Sequence, residues 1–257
     1  MLKRHIRSAL VKKAAITAFL GLSFTMLACT PPYDSTNNMA YEASDSYKTG
    51  DFTFAANDVD SVEINWTAGR VNVTQTDSGK LNCYESGSNS LSEENKLHYI
   101  IEGKTLKIQY TAASYDGNID ASLKDLNIEL PINCNLKITT LSANVSLADG
   151  EYTDVNIESN TGMLSTETIK ANYLSLKTST GTIKVKEVDA KKVDAESVSG
   201  GVTVKTVAGA TVTFKSVSGI INGRNDVDRT GSKVYEDSVG EAKRQVNIVT
   251  DSGSITF

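Results

Sequence analysis

Glycine returns every 19 residues at Gly162, Gly181, Gly200 and Gly219, each time inside the same short sentence: VNIESNTGML, LSLKTSTGTI, VDAESVSGGV and VTFKSVSGII. A unit this short cannot bury an apolar face by itself, so the copies must stack on one another. Seven residues before each glycine stand Val155, Leu174, Val193 and Val212, and five before it Ile157, Leu176, Ala195 and Phe214. Two after it stand Leu164, Ile183, Val202 and Ile221, and Val185 and Val204 continue the row. Apolar residues at every second position carry the strand period rather than the helix period. Each copy therefore predicts two short strands with a bend at the glycine.

The bend is rich in hydroxyls. Thr161, Thr180, Ser199 and Ser218 precede the four glycines, and Ser159, Thr178, Ser197 and Ser216 lie two residues earlier. Glycine is expected there for a backbone with positive φ, and the hydroxyls for bonding to corner backbone groups and between stacked copies. The sentence extends further in both directions. Ala143 occupies the preceding glycine position, VNIVTDSGSITF repeats the pattern around Gly253, and VEINWTAGRVNV matches it around Gly69. Gly253 falls 34 residues after Gly219, so a polar insertion is expected at 224–245, ahead of a last coil. The step from Gly69 to Ala143 is 74 residues, not a multiple of 19, which predicts irregular β-structure between them. The fold expected is all-β: a parallel β-solenoid, or β-helix, of roughly 19-residue coils over 131–257, preceded by a less regular β layer over 51–130.

Two columns on the outward phase carry charge. Thr139, Glu158, Lys177, Glu196 and Lys215 form one, which stacking would make a ladder of opposite charges. Glu167, Lys186, Lys205 and Arg224 form the other, a small basic stripe able to lie on solvent or on an anionic surface polymer.

The chain begins MLKRHIRSALVKKAAITAFLGLSFTMLAC, with five basic residues followed by the apolar stretch 14–28. That stretch is short for a membrane span, which needs about 20 residues, and suits a signal peptide. Its end, MLAC, resembles the lipobox of bacterial lipoproteins. The resemblance implies a leader at 1–28, acylation of Cys29 and a protein exported and held by lipid in the bacterial cell envelope. Residues 29–50 contain little to bury and two prolines, and are expected to form a flexible tether to the folded part at 51–257. Loss of the leader would leave 21 basic against 31 acidic residues, a net charge of −10. That sign argues against a nucleic-acid partner. Cys83 and Cys134 can form a disulfide in an exported protein or stand as two buried thiols.

The sentence around Gly69, LNIELP at 126–131 and the serial SG- or TG-centred copies together resemble a bacterial putative-adhesin family of unknown function, over roughly residues 51–257. The resemblance implies a β-solenoid on an exported or tethered protein, and it supplies no catalytic residues.

Catalysis on a stacked β-sheet needs clustered carboxylates or a base with a metal on one face. Asp149, Asp154, Asp189, Asp194, Asp226, Asp228 and Asp251 share no register, and His98 is the single histidine after the leader. No zinc spacing, nucleophile triad or phosphate loop stands out, so no catalytic residue, metal ligand or cofactor is assigned. Trp66 falls on the inner phase of its strand and is expected in the core. The function expected is that of a membrane-anchored, non-catalytic surface for binding a glycan or a surface protein, or for scaffolding. The alternatives are self-assembly through open solenoid ends and, behind it, a polysaccharide-active enzyme.

Overall fold

The computed structural model describes residues 41, 43–87, 91–115, 123–205, 210–216, 221–222, 233–238 and 244–256, and between 206 and 245 the backbone only. The expected leader at 1–28, Cys29 and Gly219 lie outside these residues, as do most of 224–245. Among the described residues the structure is all-β. Its strands are joined by turns that include three short 3-10 turns, and no α-helix is present.

The sequence period is the step of the ladder. Val155 pairs in parallel with Leu174 and Leu174 with Val193; Ile157 pairs with Leu176 and Leu176 with Ala195. Beyond the corner, Val145 pairs with Leu164, Leu164 with Ile183 and Ile183 with Val202. Each tier, a pair of strands flanking one corner, thus lies in register on the next. The alternating apolar residues are buried in one continuous core, with Leu164, Leu174, Leu176, Ile183, Val193, Ala195 and Val202 fully so. Ala195 places a small side chain between the larger Leu176 and Ile248 of the neighbouring tiers.

The 74-residue step is also a ladder step. Val62 pairs with Leu136, Ile64 with Ile138 and Val71 with Val145, so the Gly69 tier lies directly on the Ala143 tier. The chain between them builds the other side. Ser61–Trp66 pairs in parallel with Thr105–Gln109, and Arg70–Gln75 with Lys124–Leu130. The first tier in sequence is therefore second in space. The outermost tier is covered by antiparallel strands: Lys80–Gly87 lies on Lys124–Leu130 and His98–Glu102 on Thr105–Gln109. Phe52–Ala55 and Lys48–Thr49 extend these in turn. Lys48–Thr49 falls within the segment expected as tether. Tyr41 reinforces that departure, since its hydroxyl donates to the Thr111 carbonyl at 2.9 Å and its ring lies 4.8 Å from that of Tyr47. Burial of aromatic surface holds residues whose polar neighbours read as linker.

The C-terminal end changes order in the same way, and here the expected sequence of tiers is corrected. Val193, Ala195 and Ser197 pair with Val246, Ile248 and Thr250, not with the tier 19 residues on. Arg244–Thr250 pairs on its other edge with Ala210–Ser216. The last sentence of the chain therefore lies between the third and fourth glycine-centred tiers. Ile255 repeats the arrangement beyond the corner, pairing with both Val202 and Ile221. The outer strand Ala210–Ser216 is covered by antiparallel Lys233–Ser238, drawn from the expected insertion. An open stack exposes unpaired N–H and C=O groups at its ends. Antiparallel strands cover the outer tier at the N-terminal end and the Ala210–Ser216 strand at the other, and Arg244–Thr250, bonded on both edges, is not the free edge that self-assembly through open ends would use.

The reordering also breaks the charge column. Glu158 adjoins Lys177, and Lys177 Nζ lies 3.4 Å from Glu196 Oε2, as stacking requires. Beyond Glu196, however, comes Val249, which separates it from Lys215. In the second column Lys186 bonds to Glu167, so its charge is paired rather than part of a free basic stripe.

The corners correct the role assigned to glycine. Gly69 has φ +86°, but Gly162, Gly181, Gly200 and Gly253 do not adopt the left-handed backbone. Closeness between tiers requires them instead. A Cβ on Gly181 would lie 2.0 Å from the carbonyl oxygen of Gly162, one on Gly200 1.8 Å from that of Gly181, and one on Gly253 2.0 Å from that of Gly200. The hydroxyl three residues before each glycine ties the same corner. Ser197 Oγ accepts the Gly200 N–H at 2.9 Å and donates to the Gly181 carbonyl at 3.1 Å. Thr178 and Thr250 repeat both bonds, and Ser159 accepts from Gly162. Ser197→Ala leaves both buried groups without that partner and is expected to cost about 1–3 kcal/mol. Chemical denaturation should show it, with Ser199→Ala, whose exposed hydroxyl makes a 3.4 Å bond, as the milder control.

Candidate functional site

The most unusual chemistry among the described residues lies in the outer N-terminal tier. Leu126, Ile128 and Leu130 alternate inward, and the same phase carries Lys124 into the core, where its side chain is fully buried. The Lys124 ammonium lies 2.7 Å from Glu85 Oε2 and also donates to the Asn95 carbonyl. It sits 5.2 Å from the ring centroid of Trp66 and 4.7 Å from that of Tyr110. These two rings meet edge to face at 4.8 Å. The Trp66 indole N–H donates to the Lys124 carbonyl at 3.3 Å, and Glu85 Oε2 accepts the Leu97 N–H at 3.0 Å. The cluster thus joins the covering strand of Glu85, the turn at Asn95 and two parallel tiers.

Desolvation dominates its electrostatics. Burial pulls the Lys124 amine down to about 8 against the opposing pull of Glu85. Burial likewise raises the Tyr110 phenol and lowers His98, whose Nδ1 lies 2.9 Å from the Lys96 carbonyl and Nε2 3.4 Å from Thr49 Oγ1. The amine is sealed between two aromatic rings, so this arrangement fixes strands to one another and presents no nucleophile or base to solvent.

Directly outside lies a recess of about 580 Å³, lined by Gly69, Arg70, Ser86, Leu123, Asp125 and Asn144 among others. Gly69 shapes it: a Cβ there would lie 2.2 Å from the Lys124 carbonyl, and its positive φ turns the corner. Arg70 and Asn144 are exposed, and Leu123 is 50 % exposed, an uncommon apolar side chain at the rim of a polar hollow. The recess offers a cation, a carboxylate, an amide and an apolar contact within one corner.

The other outward feature is periodic. Lys170 pairs with Glu151 at 2.6 Å, Lys186 with Glu167, and Lys191 Nζ donates to Asn172 Oδ1 at 2.8 Å, each across a 19-residue step. Asp194 is the hub of a wider network. It accepts from Tyr173, Lys192 and Asn247, all at 2.7 Å, which joins three tiers and holds its carboxyl below the usual range.

The residues singled out from sequence scatter over this frame. Gly69 lines the recess; Gly162, Gly181, Gly200 and Gly253 are buried in the tier contacts. Cys83 and Cys134 are buried free thiols, one on the covering strand Lys80–Gly87 and one opening Cys134–Thr140, so the disulfide left open by the sequence is not formed. Burial raises both thiols, Cys134 to about 12. Among the described residues no three His, Cys, Asp or Glu side chains come together as a metal site. Trp66 is in the core as expected. Lys124 was missed although its signal was present, since the two-residue phase of LNIEL, carried back one step, points it inward.

Residues 59–257 match the family model described as Toastrack DUF4097. No curated protein matches the chain. Among solved structures, a putative cell adhesion protein from Clostridium sporogenes ATCC 15579 is 19% identical, with 82% of this chain and 98% of that one covered and a TM-score of 0.40. A putative adhesin from Bacteroides fragilis NCTC 9343 is 16% identical, with 81% and 96% covered and a TM-score of 0.44. A putative adhesin from Parabacteroides distasonis ATCC 8503 is 12% identical, with 82% and 97% covered and a TM-score of 0.38.

Proposed function

The chain belongs to the Toastrack DUF4097 family, and we propose that it is a lipid-anchored envelope protein whose tiers form a β-solenoid presenting a non-catalytic binding surface. The observation that carries this reading is the repeated outward array. Polar side chains recur at each 19-residue step and are paired with their neighbours, while the most perturbed amine, Lys124, is sealed inside. A rigid array with a rise of about 4.8 Å per tier suits an extended partner with a repeating unit, such as a surface glycan. The recess beside Gly69 adds one site where such a chain could be held by Arg70, Asp125 and Asn144.

The anchor rests on MLAC and the apolar stretch before it. Cys29→Ser is expected to move the protein from the membrane to the soluble fraction and to remove the acyl mass from its N-terminus. Retention in the membrane with an unchanged mass would overturn the anchor. For the surface, a fragment spanning 41–257, which keeps Tyr41 and the Lys48–Thr49 strand, is expected to bind a subset of glycans on an array saturably. Arg70→Ala together with Asn144→Ala should weaken binding about tenfold, as loss of two polar contacts implies. Turnover of a bound polysaccharide, abolished by a single carboxylate change, would replace this reading with an enzymatic one.

A further inference from the structure

The tier at 193–204 can be followed by either of two segments. The 19-residue period allows Val212, Phe214 and Ser216 to stack on Val193, Ala195 and Ser197, which would bring Lys215 beside Glu196. The structure instead seats Val246, Ile248 and Thr250 there and displaces the 210–216 strand by one tier. The inserted segment is bound specifically. Asn247 Nδ2 donates to Asp194 Oδ1 at 2.7 Å, Thr250 Oγ1 donates to the Gly200 carbonyl at 3.4 Å, and Gly253 fits where a Cβ would lie 2.0 Å from that carbonyl. Val246, Ile248 and Ile255 are fully buried.

We propose that residues 244–256 are an exchangeable inserting segment, and that the slot between 193–204 on one side and the strands 210–216 and 221–222 on the other is an interaction surface for the same segment of a second copy of this chain. The segment enters between two tiers that follow one another in sequence. Backbone bonding on both edges and side-chain contacts at Asp194 and Gly200 read only the inserted residues. They make no distinction between a segment arriving from its own chain and one arriving from another. The alternative register closes the slot when the segment is absent, which gives an emptied chain a way to bury its apolar rows while exchange occurs. The partner chemistry is therefore a parallel β-segment with valine and isoleucine inward, asparagine opposite Asp194 and glycine at the corner.

The test uses full chains carrying Cys29→Ser. One carries Asp194→Cys and the other Asn247→Cys; neighbouring Cα atoms in a ladder fall within disulfide reach. The two are mixed, unfolded, refolded together at increasing concentration and oxidised. A covalent heterodimer linked 194 to 247 is expected, with a yield that rises with chain concentration. Gly253→Ala in the chain that donates the segment should lower the yield about tenfold or more. The pair Glu196→Cys and Val249→Cys, also ladder partners, provides the same readout with the Asp194 network intact. The proposal is overturned if mixed single variants give no heterodimer at any concentration while either double variant closes its disulfide within one chain.

Discussion

Alanine at Gly181 is expected to lower the melting temperature by about 6–12 °C, the result of a cost of about 3 kcal/mol or more in a domain of this size. The added Cβ would lie 2.0 Å from the Gly162 carbonyl oxygen and 2.8 Å from its carbon. Both are backbone atoms, so no side-chain rotation relieves the contact. The tiers cannot move apart locally, because Thr180 N–H bonds to the Asn160 carbonyl at 3.0 Å and Leu164 pairs with Ile183 on the other side of the corner. Gly201→Ala, one residue beyond the equivalent corner, provides the control. Its Cβ would meet the Ser254 carbonyl at 3.5 Å, an ordinary contact. It should be neutral or stabilising by about 0.4–1 kcal/mol through the unfolded state. Equal melting temperatures for the two variants would remove the close-approach explanation of the glycine period.

Glu85→Ala is expected to cost about 3–5 kcal/mol, because it leaves the Lys124 ammonium buried without its counter-charge. Lys124→Met alone also breaks the pair, but the remaining carboxylate keeps the Leu97 N–H. The double variant Glu85→Leu with Lys124→Met should cost far less than the two single changes together, since apolar replacement of a whole buried pair is often neutral. A pH series separates the amine from the rest. The folded Lys124 titrates at about 8 instead of its ordinary 10.5. Between those values the unfolded chain binds a proton that the folded chain does not, so this group's contribution rises with pH across that window. The stability of the parent relative to Lys124→Met should therefore increase from about pH 8 to pH 10.5. A flat difference would show that the amine is not desolvated. The comparison with the variant is needed because Cys83 and Cys134, raised by burial, pull the whole protein the opposite way as the unfolded thiols ionise.

What could be read from the sequence was what repeats. The 19-residue period specified the ladder step, the inward apolar rows and the all-β class, because pairing neighbours differ by one period wherever the chain climbs one tier at a time. The order of tiers at the ends was not legible for the same reason. VTFKSVSGII and VNIVTDSGSITF carry the same residue pattern, the period alone favours the first for the slot, and pair-specific contacts such as Asp194 with Asn247 accompany the second. The reason for glycine was also hidden. Positive φ and close approach of a neighbouring backbone select the same residue, and Gly69 uses both while Gly181 uses only the second. The recess depends on Gly69 meeting the Lys124 backbone, a contact between segments joined by an irregular stretch that no period connects.

Amide hydrogen exchange on the intact chain tests the stacking order most directly. Residues 246–250 are bonded on both edges, between 193–197 and 210–216, and are predicted to exchange as slowly as 193–197 and far more slowly than the covering strand 233–238. Fast exchange at 246–250, matching that of 233–238, would place the last sentence of the chain at the end of the stack and contradict the account.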